Sequence, residues 1–279
     1  MNGRRGRRVR HEDTGKDRAR NAEGNTARTA LGGLLRGHGP TVTYALMAAC
    51  CAVFLLSPVS GFNPVYGTGD ELAAAQRAHF ERWGVIPAEL LGGSVRAAVT
   101  PLTALFVHGS WVHLLGNLLF LYVFGAMVEE RFGHLRFAVF YLVSGGLALL
   151  GFAIADAGSR ETLVGASGAI SAVLGAFLWL FPSARVTSLF PFLFFLPLRF
   201  PAWLVLPFWA LLQWLAAQRH TSGPGVAYLA HLLGFGLGFL YAWVRCPRTD
   251  GPVGGPGRRA GRRAKVKRQA VATEGDSQP

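Results

Sequence analysis

Charge is scarce in this chain. Of 279 residues, 15% are Asp, Glu, Lys or Arg and 51% are hydrophobic, whereas ordinary soluble domains carry about 25% charged residues. That balance points away from a water-soluble domain and towards a bilayer. Cysteine is scarcer still, at three. Cys50 and Cys51 are adjacent inside an apolar run and Cys246 follows the last run, so neither a disulfide framework nor a zinc spacing is present. Acidic side chains are missing from the middle of every apolar run, which removes the carboxylates that proton and ion paths normally use. No internal repeat of the kind that builds many transporters is visible either.

The charge that is present sits at the ends. The net charge is +13; residues 1–40 hold ten Lys/Arg against four Asp/Glu, and residues 245–279 hold nine against three. The body between them is almost neutral. No aromatics interleave the tail arginines to stack on bases, so nucleic acid is not the expected partner. Basic tails around an apolar body fit the positive-inside rule with both termini cytoplasmic, and they suit anionic lipid heads. Forty mostly polar residues precede the first apolar run and no small-x-small site follows it, so no cleavable signal is expected.

Six apolar runs follow in order, at about 41–58, 110–128, 135–155, 166–181, 202–217 and 226–244. A hydrocarbon core about 30 Å thick asks for about 20 apolar residues per helix, so the fourth run is short. It fits if its head lies below the surface under a water-filled cavity. The connection 60–107 carries an amphipathic stretch at 71–83, with Phe80 and Trp83 placed for an interface. Residues 190–201 are broken by Pro191, Pro197 and Pro201 and read as an interfacial turn. The expected architecture is an all-α bundle of six membrane helices over 41–245, between disordered basic tails at 1–40 and 246–279.

Polar residues inside the runs share one level. Ser167 opens the fourth run within Gly165-Ala166-Ser167-Gly168-Ala169, His113 lies near the head of the second, and His231 about five residues into the sixth. In this topology all three heads face the extracytoplasmic side. An imidazole within reach of a serine hydroxyl can take its proton and make it a nucleophile. Small residues follow both downwards, Ser171 and Gly175 below Ser167, Gly234 and Gly238 below His231. Such faces let helix backbones approach, and they equally suit plain helix packing. His113 and Asn117, four apart, share a face, with Gly116 between them to let another helix close in. They can donate to an oxyanion or simply bridge helices. His108 reads as a structural hydrogen bond in the long connection.

Other chemistries fit less well. Position 109 is Gly and no acidic residue accompanies the histidines, so the zinc-protease pattern fails. Position 169 is Ala and no strand precedes Ser167, so the soluble hydrolase elbow fails. No carboxylate is available to orient His231, which leaves a dyad rather than a triad. A non-catalytic binder of membrane helices could use the same cavity without needing an activated hydroxyl.

With those motifs the chain resembles the rhomboid intramembrane serine proteases of the bacterial six-helix type. The motifs are His108-x4-His113-x3-Asn117 with Glu129 beyond it, Gly165-Ala166-Ser167-Gly168-Ala169, and Ala230-His231-x2-Gly234-x3-Gly238. The resemblance implies a rhomboid-like bundle with Ser167 as nucleophile, His231 as general base, and His113 with Asn117 as oxyanion donors. Gly165, Gly168, Ser171, Gly175, Gly234 and Gly238 would pack the helices around them, with no metal or cofactor. It further implies that the 60–107 connection lies half in the membrane, and that the fifth helix and the 218–226 loop gate entry. Substrates would be single-pass or multi-pass membrane proteins, cleaved near the extracytoplasmic ends of their spans in the cell membrane. Some members carry a tyrosine four residues after the nucleophile, stacked on the histidine; here that position is Ser171.

Overall fold

The structure is a computed structural model that describes residues 39–190, 196–219 and 228–247. Nearly all of both tails, and all but the first two residues of the expected 218–226 gate, lie outside the described residues. The described chain is mostly helical. It runs through α1 (Thr41–Leu56), α2 (Gly69–Trp83), α3 (Pro87–Leu91), α4 (Ala97–Phe106), α5 (Trp111–Phe132), α6 (His134–Ala155) and α7 (Ser167–Leu180). Two strands, β1 (Arg185–Phe190) and β2 (Leu196–Pro201), then precede α8 (Ala202–Arg219) and α9 (Tyr228–Arg245).

Among the described residues, α5 and α6 are long and apolar enough to cross a membrane, while α1, α7 and most of α8 are apolar but shorter. The outer surface suits lipid. Leu135, Val139, Val143 and Leu147 recur every four residues along α6 and are all exposed, an apolar stripe that water would penalise. α7 is the opposite case. Every residue from Gly168 to Phe177 is buried, as expected of a helix that is hydrophobic all round and enclosed by others.

α7 can be enclosed because its neighbours come down to backbone contact. A β-carbon added at Gly238 of α9 would stand 1.8 Å from the Ala172 carbonyl oxygen, and one at Gly234 would stand 2.1 Å from that of Gly168. Gly175 of α7 answers from the other side, 2.0 Å from the Phe235 carbonyl oxygen. On the far face Gly145 of α6 admits Ala169 and Leu105, where a β-carbon would meet their side chains at 2.7 and 2.8 Å. The indole N–H of Trp179 donates to the Cys246 carbonyl at 2.9 Å and ties the lower ends of α7 and α9.

Helix α1 has no side-chain cap of its own. The cap comes from Glu129, fully buried near the end of α5. Its carboxylate accepts from the backbone N–H of Val42 (2.8 Å) and Thr43 (2.7 Å), from the Thr43 hydroxyl (2.7 Å), and pairs with His134. Free first-turn N–H groups and the helix dipole together favour an anion there.

The 60–107 connection is ordered rather than loose. Trp111 packs edge-on against Phe54 and Phe62, with ring centroids 4.8 and 5.4 Å away, and its indole N–H donates to the Ser60 carbonyl. Val85 and Leu163 exchange two backbone bonds, and the Gly165 N–H donates to the Ala104 carbonyl at 2.8 Å. The connection thus holds the strand of chain that enters α7.

The sequence reading of an all-α bundle with a turn at 190–201 needs correcting. β1 and β2 form an antiparallel hairpin in register from Arg185↔Pro201 to Phe190↔Leu196. Residues 185–190 read Arg-Val-Thr-Ser-Leu-Phe, with two β-branched side chains. A ribbon of two strands has only edges, and Pro197 and Pro201 take positions of equal parity. Both can therefore turn their missing N–H away from the partner strand.

Candidate active site

Ser167 stands at the head of α7, and the turn that delivers it needs a glycine. Gly165 has φ +123°, a region closed to most side chains. A β-carbon there would also lie 2.7 Å from Cε1 and Nε2 of His113 and 3.7 Å from the Ser167 hydroxyl oxygen. The absence of a side chain therefore lets the His113 ring close over the backbone beside the serine. Gly165→Ala is expected to cost about 1–3 kcal/mol of backbone strain and to displace His113. Thermal unfolding in detergent and a cleavage assay would read the two effects separately.

The Ser167 hydroxyl oxygen is 2.8 Å from Nε2 of His231. On the other side of the ring, Nδ1 is 2.8 Å from Oε1 of Gln213 in α8. An amide oxygen only accepts, so Nδ1 carries the imidazole proton and Nε2 is left bare to accept from the serine. Trp209, one turn before Gln213, lies over the imidazole with centroids 6.2 Å apart and planes 30° apart, while Tyr228 meets its edge at 6.3 Å.

His113 is placed by a capped helix start. Ser110 accepts from the His113 N–H at 3.1 Å. The Gly109 N–H points at Nδ1 of His113 at 3.4 Å, so Nδ1 is the acceptor and Nε2 bears the proton, turned towards Gly165 and Ser167. Asn117 is buried, and its Nδ2 has no hydrogen-bond partner among the described residues. The first N–H groups of α7 have no capping side chain. His108 is fully buried, with its ring edge-on to that of His113 at 5.2 Å between centroids and its Nδ1 donating to the Phe106 carbonyl at 3.2 Å. Burial, then the neighbouring His113, push its pKa down to about 4 against the pull of that carbonyl, so it is neutral at neutral pH.

These groups line one cavity of about 910 Å³, whose wall includes His113, Asn117, Ser167, Trp209, Gln213 and His231. The sequence places Ser167, His231 and His113 at one level and Asn117 on the His113 face, and all four line this cavity. Gly168, Gly175, Gly234 and Gly238 sit at contacts between helices. Ser171 turns its hydroxyl to the Ser167 carbonyl at 2.7 Å and leaves the histidine face to Trp209. Gly116 departs from expectation: nothing lies within 4 Å of where its β-carbon would be, and it borders the cavity rather than a helix. Gln213 is a partner of His231 that the sequence reading does not include, since an amide in this place is not the usual carboxylate. A signal existed. It is the one polar side chain in the 202–217 run, and polar groups in such runs are functional candidates by default.

The family model described as the Rhomboid domain matches residues 96–248, more than half of the chain. The chain belongs to the rhomboid family. The match takes in the whole site and leaves α1 and all of residues 60–95 outside. Among curated relatives, RHOMBOID-like protein 6, mitochondrial, of Arabidopsis thaliana is 30% identical over 146 residues, which is 50% of this chain and 42% of that protein. Rhomboid protein 1, mitochondrial, of Saccharomyces cerevisiae is 32% identical over 153 residues, 53% and 42% of the two chains. Rhomboid-like protein 11, chloroplastic, of Arabidopsis thaliana reaches 42% identity over 69 residues, 24% of each. The chain spans less than half the length of these rhomboid relatives. Rhomboid proteins are membrane-embedded, which accords with the exposed apolar stripe on α6.

Proposed function

We propose that this chain is an intramembrane serine endopeptidase that cuts transmembrane segments of other membrane proteins near their extracytoplasmic ends. The observation that carries the reading is the 2.8 Å contact between the Ser167 hydroxyl and Nε2 of His231, made inside a cavity rather than against lipid. A substrate helix of low helical propensity unwinds into that cavity. Ser167 Oγ attacks a peptide carbonyl carbon while its proton passes to Nε2 of His231. The carbonyl oxygen becomes an oxyanion, held by Nε2–H of His113, Nδ2–H of Asn117 and the Ser167 N–H at the uncapped head of α7. The tetrahedral species collapses, the C–N bond breaks, and the leaving amine takes the proton from His231. Water then gives a proton to His231 as its oxygen attacks the acyl-enzyme. The new acid departs and the proton returns to Ser167.

Residues 41–245 form the protease domain as a six-span bundle, the shorter helices α1, α7, α8 and α9 spanning with α5 and α6. The even count leaves the basic segments 1–40 and 246–279 together on the cytoplasmic side of a cell membrane. No metal or cofactor enters the reaction. The reading is tested by comparing shed ectodomains from membranes holding the wild-type chain with those holding Ser167→Ala. Fragments specific to the wild type are expected, and identical fragment sets would remove the proposal. Asn117→Ala is expected to slow cleavage by about 10²–10³-fold, the usual loss for one oxyanion donor, with substrate binding unchanged. Steady-state kinetics on a reporter peptide would separate kcat from KM.

A further inference from the structure

His231 has partners on both sides, and those on the side away from Ser167 come mainly from one helix. Oε1 of Gln213 lies 2.8 Å from Nδ1, and Trp209, one turn earlier on α8, covers the ring face. We propose that Gln213 is the positioning residue of the general base, selecting the reactive tautomer of His231 while Trp209 holds the ring plane. The proposal rests on the Ser–His protease reading above.

The chemistry follows from what an amide oxygen can do. A neutral imidazole has one N–H. If it sat on Nε2, the lone pair of Nδ1 would face the lone pairs of Oε1 at hydrogen-bond distance, and Nε2 could accept nothing from the serine. With the proton on Nδ1 both contacts are favourable at once. When Nε2 takes the serine proton the ring becomes a cation, and its bond to Oε1 becomes charge-assisted and stronger. A glutamine can thus give part of what an aspartate gives in soluble triads, without placing a fixed charge among apolar helices.

The location of Gln213 adds a consequence. α8 is a peripheral helix: Trp203, Phe208, Leu211 and Trp214 are exposed, and Pro207 lies inside it. Moving α8 outward to admit a substrate would withdraw the acceptor and the stacking ring together. Both groups reach His231 because α8 lies against α9.

The test uses the full chain in detergent with a fluorogenic transmembrane peptide. Gln213→Leu removes the acceptor with a side chain of similar size. Its kcat is expected to fall about 10- to 100-fold with KM changed less than about twofold, the pattern of a group acting only in the transition state. Gln213→Glu restores an acceptor and is expected to recover most of that loss. In ¹⁵N-histidine spectra the wild type should show His231 protonated at Nδ1, and Gln213→Leu should lose that signature. A Gln213→Leu enzyme with wild-type kcat, a Gln213→Glu enzyme as slow as Gln213→Leu, or a His231 spectrum indifferent to Gln213→Leu would each overturn the positioning role while leaving the protease reading intact. Should the folded wild type cleave nothing, both readings fall together; the spectra do not depend on turnover.

Discussion

Replacing His231 by alanine is expected to slow cleavage of a transmembrane reporter by about 10⁴-fold or more, and adding Ser167→Ala to that variant is expected to lose almost nothing further. The reason is that the two side chains act as one unit. Ser167 is an ordinary alcohol without a base 2.8 Å away, and His231 has no proton to accept once the hydroxyl is gone. Single-turnover rates for both single variants and the double variant would check this. Losses that multiply would mean that the residues work in separate steps. The His113 and Asn117 side chains are untouched in all three variants, so the residual rate of the double variant measures what they do without nucleophile or base.

The second large effect is structural. Gly238→Ala is expected to destabilise the folded bundle at or beyond the upper end of the roughly 1–3 kcal/mol that overpacking costs. Its β-carbon would meet the Ala172 oxygen, carbonyl carbon and Cα at 1.8, 2.5 and 2.7 Å. All three are backbone atoms of a buried helix, so no side chain can rotate away. α7 and α9 must separate, and with them Ser167 and His231. Gly236→Ala, two residues earlier with nothing within 4 Å, should stay within about 0.5 kcal/mol of the parent. Thermal unfolding in detergent distinguishes the pair, and equal unfolding temperatures would show that α7 and α9 are not held by backbone contact.

What could be read from the chain alone follows how local the signal is. The helices α5 to α9 were legible because apolar runs and their breakers are local, and they fall within a few residues of the expected spans. Ser167, His113 and His231 stand out in the sequence because each lies near the head of a run beside small residues, and Asn117 because it shares the His113 face. Contacts made between distant segments were not. Glu129 looks like the polar end of a span, yet its carboxylate caps α1 from 87 residues away. Ser171 looked like a missing stacking partner, but the stack arrives from Trp209 on another helix. Gln213 is polar in an apolar run, but its meaning depends on where His231 lies, which the run itself does not say. The hairpin at 185–201 was hidden by prolines that forbid a helix and are tolerated by a two-stranded ribbon. Gly116 shows the reverse error, since a small residue can line a cavity as readily as a helix contact.

Activation of the Ser167 hydroxyl by His231 is checked by treating the folded chain in detergent with a fluorophosphonate and locating the adduct by mass spectrometry. One modified peptide is expected, carrying the adduct on Ser167 in the wild type and unmodified in His231→Ala. A folded wild-type chain that stays unlabelled, or labelling of Ser167 that persists undiminished in His231→Ala, would contradict it.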